Sequence, residues 1–158
     1  MKRISKLIFL LLVTPVLMSA QTSSPGDPQV ELERLAALLK QGAVGKVSVL
    51  HVHDSMLTRV AVSKDALRSI ATSTQDFSRQ IAERFGSLFS GVSVKAEIHT
   101  PDLRWGMVFY DPQGQEIGSL FVDRFGQYGY LNDQTVSFKT GSARNLAKRL
   151  HKITDIRN

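Results

Sequence analysis

The chain has 158 residues, no cysteine and a formal net charge of +6 at neutral pH. A chain of this length suits one domain and can bury enough apolar surface to fold without a metal or a disulfide. The lack of cysteine excludes disulfides, thiolate metal sites, a cysteine nucleophile and lipid attachment through cysteine.

The first twenty residues have the pattern of a secretory signal peptide. Three basic residues precede an apolar stretch from Leu7 to Leu17, and Ser19 and Ala20 supply small residues for cleavage. The apolar stretch is shorter than the ~20 residues that span a bilayer as a helix. We therefore expect residues 1–20 to be a cleaved signal peptide of the bacterial type. The protein would then be secreted or periplasmic, with no membrane span after cleavage.

Part of the positive charge belongs to this segment. Residues 1–20 hold three of the twenty basic residues and none of the fourteen acidic ones, so the cleaved chain carries a net charge of +3. A charge this small gives no electrostatic basis for binding nucleic acid. The expected partner is a protein or a small ligand, and not nucleic acid.

The remaining chain is predicted to consist of a flexible linker over 21–27 and a single domain over 28–158. The linker is rich in Ser, Pro and Gly, and Asp27 with Pro28 forms a good helix start. Leucines at helical spacing and a following Gly42 predict a first helix over 28–41. The next predicted elements, in chain order, are strands over 44–52 and 56–62 and helices over 64–71 and 75–89.

The second half reads mostly as sheet. Alternating polar and apolar residues predict strands over 92–99, 103–110, 116–122, 127–131 and 135–139, followed by an amphipathic helix over 143–153. The short turns between these strands favour antiparallel neighbours. The predicted fold class is α+β, an antiparallel β-meander of about four to six strands packed against two to four helices that cover one face.

Aromatic residues concentrate between positions 105 and 130. Alternation along 103–110 places Leu103 and Trp105 on a core-facing side and Arg104 and Tyr110 on the opposite side. Aromatic side chains displayed on a sheet can stack against ligands or partner side chains. The predicted binding surface consists of Arg104, Tyr110, Tyr128 and Tyr130.

Two histidines stand two residues apart, which suggests a different hypothesis. On a strand His51 and His53 would share a face and could both bind zinc or copper, with His99 as a third ligand. A metal site needs three or four converging ligands, and the spacing alone secures two. The expectation is no cofactor, with zinc or copper at these histidines as the alternative.

No recognised catalytic motif occurs in the chain. A nucleophile elbow, the zinc-protease motif, the Ser-x-x-Lys motif and a phosphate loop are all missing from the sequence. The leading hypothesis is a small exported protein with a non-enzymatic binding or interaction function. The alternatives are a metal-binding protein or metalloenzyme using His51, His53 and His99, and a hydrolase without a recognisable motif.

Overall fold

A computed structural model describes residues 26–53, 56, 58–139, 142, 146, 148–150 and 152. The protein has the α+β architecture, with a seven-stranded antiparallel sheet and four helices. The predicted signal peptide and nearly all of the predicted linker lie outside the described residues. Among the residues described, no helix combines the length and apolar character needed to cross a membrane.

The elements follow one another with short connections. The first half contains α1 (Pro28–Lys40), β1 (Lys46–His51), α2 (Lys64–Ile70), β2 (Ser73–Ser78) and α3 (Arg79–Phe85). The second half contains β3 (Val94–Ala96), β4 (Leu103–Tyr110), β5 (Glu116–Asp123), β6 (Tyr128–Leu131) and β7 (Gln134–Phe138). A fourth helix, α4, includes the described residues 142, 146, 148–150 and 152.

The sheet order is β2-β1-β4-β5-β6-β7-β3, with every neighbouring pair antiparallel. Strands β4 to β7 form the predicted meander, because each is paired with the next in sequence. The predicted count of four to six strands was too low, since β2 and β3 add an edge on each side. Both edges are formed by strands that precede the meander in the chain.

Two apolar clusters cover opposite faces of the sheet, which we name the α1 face and the α2 face. On the α1 face, α1, α3 and α4 pack over strand residues that include Val49, Met107 and Leu120. On the α2 face, Leu67 of α2 packs with Val108 and Phe121. The prediction that the helices cover one face was therefore wrong for α2.

Helix α1 forms as its sequence predicts. The Asp27 side chain accepts a hydrogen bond from the Gln29 amide at 2.8 Å, and Pro28 occupies the first turn. The helix ends before Gly42, whose φ of +66° suits a residue without a side chain. Its leucines at positions 32, 35 and 39 are each at most 1% exposed and form the centre of the α1-face core.

The predicted helix over 75–89 is instead a strand followed by a short helix. Phe77 pairs in register with Val47 as part of β2, and the chain becomes helical only at Arg79. The spacing of Phe77 and Phe85 fits a helix, but the free edge of β1 offers residues 73–78 a full set of ladder hydrogen bonds. The Ser48 hydroxyl also donates to the Asp76 carboxylate at 2.5 Å, which fixes this register.

Two predicted strands are shortened or lost. Residues 58–62 form no strand because β1 already pairs with β2 on one side and β4 on the other. The strand predicted over 92–99 is limited to β3, which ends at Ala96. Ile98, which follows the end of β3, is fully exposed.

The chain between β3 and β4 has to cross the sheet. Strand β3 lies at one edge, whereas β4 lies four positions away between β1 and β5. A register shift between Leu103 and Trp105 follows this crossing. As a result Leu103 packs in the α2-face cluster with Val108 rather than with Trp105, as alternation had predicted.

Asn132 joins α1 to the meander. Its backbone has a φ of +53°, its side-chain carbonyl accepts from the Ser119 amide at 2.8 Å, and its side-chain amide donates to Glu31 at 2.8 Å. Arg34 pairs with the same Glu31 carboxylate and donates to the Ile117 carbonyl at 3.0 Å. These contacts attach the first turns of α1 to the β5 and β6–β7 region.

Glu31→Gln is expected to flatten the acid dependence of stability. The hydrogen bond from Arg34, aided by Asn132, holds the pKa of Glu31 below its ordinary value although burial opposes this. A lowered pKa in the folded state adds stability above the ordinary pKa and loses it as pH falls through the folded pKa. The variant should lose about 0.5–1 kcal/mol at pH 7 and progressively less toward pH 3.

Urea unfolding at several pH values measures this difference. Glu33→Gln is the matched control, because Glu33 is an exposed residue of the same helix that accepts from the Gln29 side chain. Equal pH profiles for the Glu31 variant and the natural chain would contradict the role given to the Glu31 carboxylate.

Gly129→Ala is expected to destabilise the sheet. A Cβ added at Gly129 would stand 1.9 Å from the carbonyl oxygen of Phe121, a backbone atom that cannot move without breaking the β5–β6 pairing. We expect a loss of about 3 kcal/mol in the free energy of unfolding. Gly26→Ala, where a Cβ meets nothing within 4 Å, should change it by less than about 0.5 kcal/mol. Thermal and urea unfolding of both variants test the comparison.

Candidate functional site

A groove of about 700 Å³ opens at the end of the sheet formed by β3, β7 and β6. Its walls come from β3, the end of β7 and the turn between β5 and β6. A volume of this size is typical of sites for small molecules. The side chains that contribute to the following argument are Lys95, Glu97, Phe125, Tyr128, Ser137 and Lys139.

Ser137 lies on the floor of this groove. The register places it between Tyr128 of β6 and Lys95 of β3, on the α2 face. Ser137 is 7% exposed, and its hydroxyl finds no hydrogen-bond partner within the part of the chain that the structure describes. A buried hydroxyl without a partner costs free energy, and a ligand that brought an acceptor to it after a small side-chain rearrangement would relieve that cost.

Two lysines border the same floor. Lys95 is the cross-strand neighbour of Ser137, and Lys139 follows Ser137 by two residues and extends from the same face. The Lys95 ammonium lies 4.0 Å from the Glu97 carboxylate, with the lysine side chain 77% exposed. An exposed pair at this separation contributes little to stability. The rim of the groove therefore has mobile positive charge that a ligand can engage.

An aromatic side chain forms the opposite wall. Phe125 is 65% exposed at the tip of the β5–β6 turn. The turn is held from below by Asp123, whose carboxylate accepts from the Gln127 amide at 2.8 Å, and by Gly126 with a φ of +67°. Burial raises the pKa of Asp123, while hydrogen bonds from the turn amides oppose this rise. The fold thus presents Phe125 to solvent on a well-anchored turn.

Tyr128 is the member of the predicted binding surface that lines this groove. Its ring is half-buried and lies 4.1 Å from the His99 ring, centroid to centroid, with 34° between the planes. His99 belongs to the segment that crosses from β3 to β4. The contact therefore ties that crossing to β6 beside the groove.

The other predicted binding residues lie elsewhere. Arg104 is 3% exposed and pairs with Asp102 at 2.7 Å, so it is not on an accessible sheet surface. Tyr110 and Tyr130 are half-buried against the α2-face cluster. Their rings lie below Lys46 and Lys64, with the ammonium groups 4.5 and 5.4 Å from the respective centroids. The predicted surface of four residues is thus divided among separate environments.

The predicted histidine ligands do not all come together, because His99 lies apart from His51 and His53. The rings of His51 and His53 lie 6.3 Å apart, and His51 stacks on Trp105, whose ring belongs to the α1-face core. The His99 ring packs at a tilt against Tyr128 on the α2 face. Across the described ranges, no three His, Asp or Glu side chains are grouped so that they could hold a metal ion.

A second cavity, of about 340 Å³, lies between α2 and the β5 and β6–β7 region. Its charged residues pair with one another, Lys64 with Asp133 and Arg68 with Glu116. These pairs lower the pKa of Asp133 and raise the pKa of Arg68. Charges that are already neutralised leave little reason for a charged ligand to bind there, so we assign the candidate site to the groove.

Most groove residues were not predicted from sequence. Phe125 falls in the turn between the predicted strands over 116–122 and 127–131. That position is a signal of exposure, because an aromatic residue at a turn tip has little chance of burial. Ser137 stands among apolar residues of β7, and its significance depends on strand order. The neighbourhood of Ser137 and Lys95 follows from pairing between β7 and β3, which are separated by the whole meander.

The arrangement is better suited to binding than to catalysis by Ser137. A serine nucleophile needs an adjacent base to remove its proton. Within the described part of the chain the Ser137 hydroxyl contacts no such group. What the groove offers is a neutral hydroxyl, two ammonium groups, the Glu97 carboxylate, the half-buried Tyr128 ring and the exposed Phe125 ring.

In comparisons with known proteins, no protein-family model, curated protein or solved structure matches this chain.

Asp123→Ala is expected to loosen the turn that carries Phe125. The alanine leaves the turn amides without their buried acceptor, which should cost about 1–3 kcal/mol in unfolding free energy. Asp123→Asn keeps an acceptor oxygen and removes a carboxylate whose charged form is disfavoured by burial, so it should cost less than about 1 kcal/mol. Urea unfolding and amide hydrogen exchange at residues 124–128 measure both effects. Equal losses for the two variants would contradict the anchoring role of this side chain.

Proposed function

We propose that this protein is exported and acts in the periplasm or outside the cell as a non-enzymatic binding protein, with the groove beside Phe125 as its ligand site. The observation that carries the proposal is the combination, in one groove, of an exposed phenylalanine with a buried Ser137 hydroxyl that has no partner among the described residues. Both features cost the isolated protein free energy or solubility, and a ligand relieves both.

The physical requirements of the fold do not explain Phe125. Its ring stands 65% exposed, whereas Phe121, four residues earlier, is fully buried in the α2-face cluster. An exposed aromatic ring next to a concave, partly polar surface is typical of recognition sites, where rigid rings give contact area at low entropic cost. This contrast favours a binding role for the turn.

The proposal of export is supported by the first twenty residues. Their order of basic, apolar and small residues is the order that export machinery reads. A chain without cysteine needs no oxidative step to fold after export. Expression in a bacterium followed by mass analysis of the periplasmic and medium fractions tests this part. A chain found only in the cytoplasm at its full mass would contradict it.

Binding is tested on protein recovered from the exported fraction. A set of small neutral, anionic and cationic aromatic compounds is titrated while backbone amide resonances are followed by nuclear magnetic resonance. We expect saturable shifts that cluster at Gly126, Gln127 and Lys139, which surround the groove. Shifts that cluster elsewhere, or no saturable binder of any charge class, would contradict the groove as the ligand site.

Phe125→Ala is expected to weaken such binding without harming the fold. Because the ring is exposed, the free energy of unfolding should change by less than about 0.5 kcal/mol. Loss of its contact area should reduce affinity by about three- to tenfold. Val30→Ala is the matched control, since Val30 is 62% exposed on α1. Unchanged affinity in the Phe125 variant would argue against the proposed role of the ring.

A further inference from the structure

We infer that the groove selects a small organic anion, a compound that joins a carboxylate or phosphate group to an apolar ring or chain. This inference rests on the proposed function and adds the chemical class of the ligand. The anionic group would be held at Ser137, Lys95 and Lys139, and the apolar part would lie against Phe125.

The charge of Lys139 favours an anion in the groove. Its backbone is fixed, because the Lys139 amide donates to the Ser93 carbonyl at 2.9 Å and its carbonyl accepts from Ser142. Its ammonium, in contrast, has no hydrogen bond or ion pair to any residue that the structure describes. A charge on a fixed backbone that borders a groove and has no partner is suited to an anion.

The loose pairing of Lys95 with Glu97 favours an anion as well. Glu97 is the acidic side chain of the groove lining, and its carboxylate approaches the Lys95 ammonium only to 4.0 Å. A ligand anion at normal contact distance would form a shorter and stronger interaction than this existing pair. With Lys139 included, the lining has a net charge of +1 before any ligand binds.

The position of the Ser137 hydroxyl also favours an anion. Its hydroxyl lies in register beside Lys95 and is more than nine-tenths buried, with no partner in the described residues. A hydroxyl donates one hydrogen bond, which a carboxylate or phosphate oxygen accepts. The two ammonium groups and the hydroxyl therefore bring three donor groups to one end of the groove.

The adjoining sheet edge favours a small molecule over an added peptide strand. The outward amide of Val94 in β3 donates to the Gln29 side chain at 3.0 Å, so α1 already occupies this edge. A peptide strand pairing with β3 would have to displace that contact. A groove of about 700 Å³ instead matches the size of a small ligand.

The experiment compares three probes of similar shape on protein purified from the exported fraction. Phenylacetate carries a carboxylate, phenyl phosphate carries a phosphate, and phenylacetamide is the uncharged counterpart of the first. Nuclear magnetic resonance titration locates each probe, and the same titrations at low and high salt report the electrostatic contribution. We expect one or both anions to bind in the groove at least fivefold more tightly than phenylacetamide, and more weakly at high salt. The relative affinities of the two anions identify the preferred group.

Substitutions locate the anionic group. The double variant Lys95→Gln with Lys139→Gln should lose about tenfold or more in anion affinity, while phenylacetamide binding stays the same. Lys40→Gln with Lys148→Gln, which removes two exposed lysines outside the groove, is the charge-matched control and should leave both unchanged. Ser137→Ala should weaken anion binding severalfold without loss of stability, because the natural hydroxyl has no partner to lose.

The outcomes separate this inference from the proposed function. Equal binding of phenylacetate, phenyl phosphate and phenylacetamide in the groove would overturn the inference and leave the binding function standing. Anion binding unaffected by the double lysine variant would also overturn it. If none of the probes nor any compound of the wider set binds in the groove, both proposals fail.

Discussion

The connection from β3 to β4 determines the form of this molecule. Strand β3 closes one edge of the sheet, yet the chain must next supply β4 at the centre, beside β1. Residues 97–102 make that crossing. They are fixed by the contact between the His99 and Tyr128 rings and by the Asp102 carboxylate, which accepts hydrogen bonds from the Val62 amide and from Arg104. The crossing marks one limit of the groove, whose floor is the β6–β7–β3 end of the sheet.

The α2 face therefore has two parts with different electrostatic character. Under and beside α2, charged side chains are matched within the chain, as in the Lys64–Asp133 and Arg68–Glu116 pairs. At the other end, among the residues that the structure describes, Lys139 has no such match and the polar Ser137 is buried without one. A surface whose charges are paired within the protein attracts charged ligands weakly, whereas unpaired charges favour ligands of the opposite charge. This difference between the two parts is the physical basis for the proposal that the ligand site is the groove and not the cavity beside α2.

Sequence reasoning predicted well where the information is local. The helix start at Asp27 and Pro28 and the antiparallel meander of β4 to β7 are confirmed. It failed where a distant strand decided the outcome, as when β1 drew residues 73–78 into the sheet in place of a helix. The candidate site belongs to the second kind. Tyr128 belongs to the predicted binding surface. Its neighbours Ser137, Lys95 and Phe125 are brought together by strand pairing, which cannot be deduced from their spacing along the chain.

The hydrogen bond from Val94 to Gln29 has a consequence for the protein at high concentration. A three-residue edge strand with outward backbone amides invites a second copy to add its own strand, which is the first step toward fibres. Here an α1 side chain saturates the Val94 amide, and Gln29 is itself held by Glu33. The first turn of α1 thus reduces the number of backbone amides with which this edge could pair with a second copy.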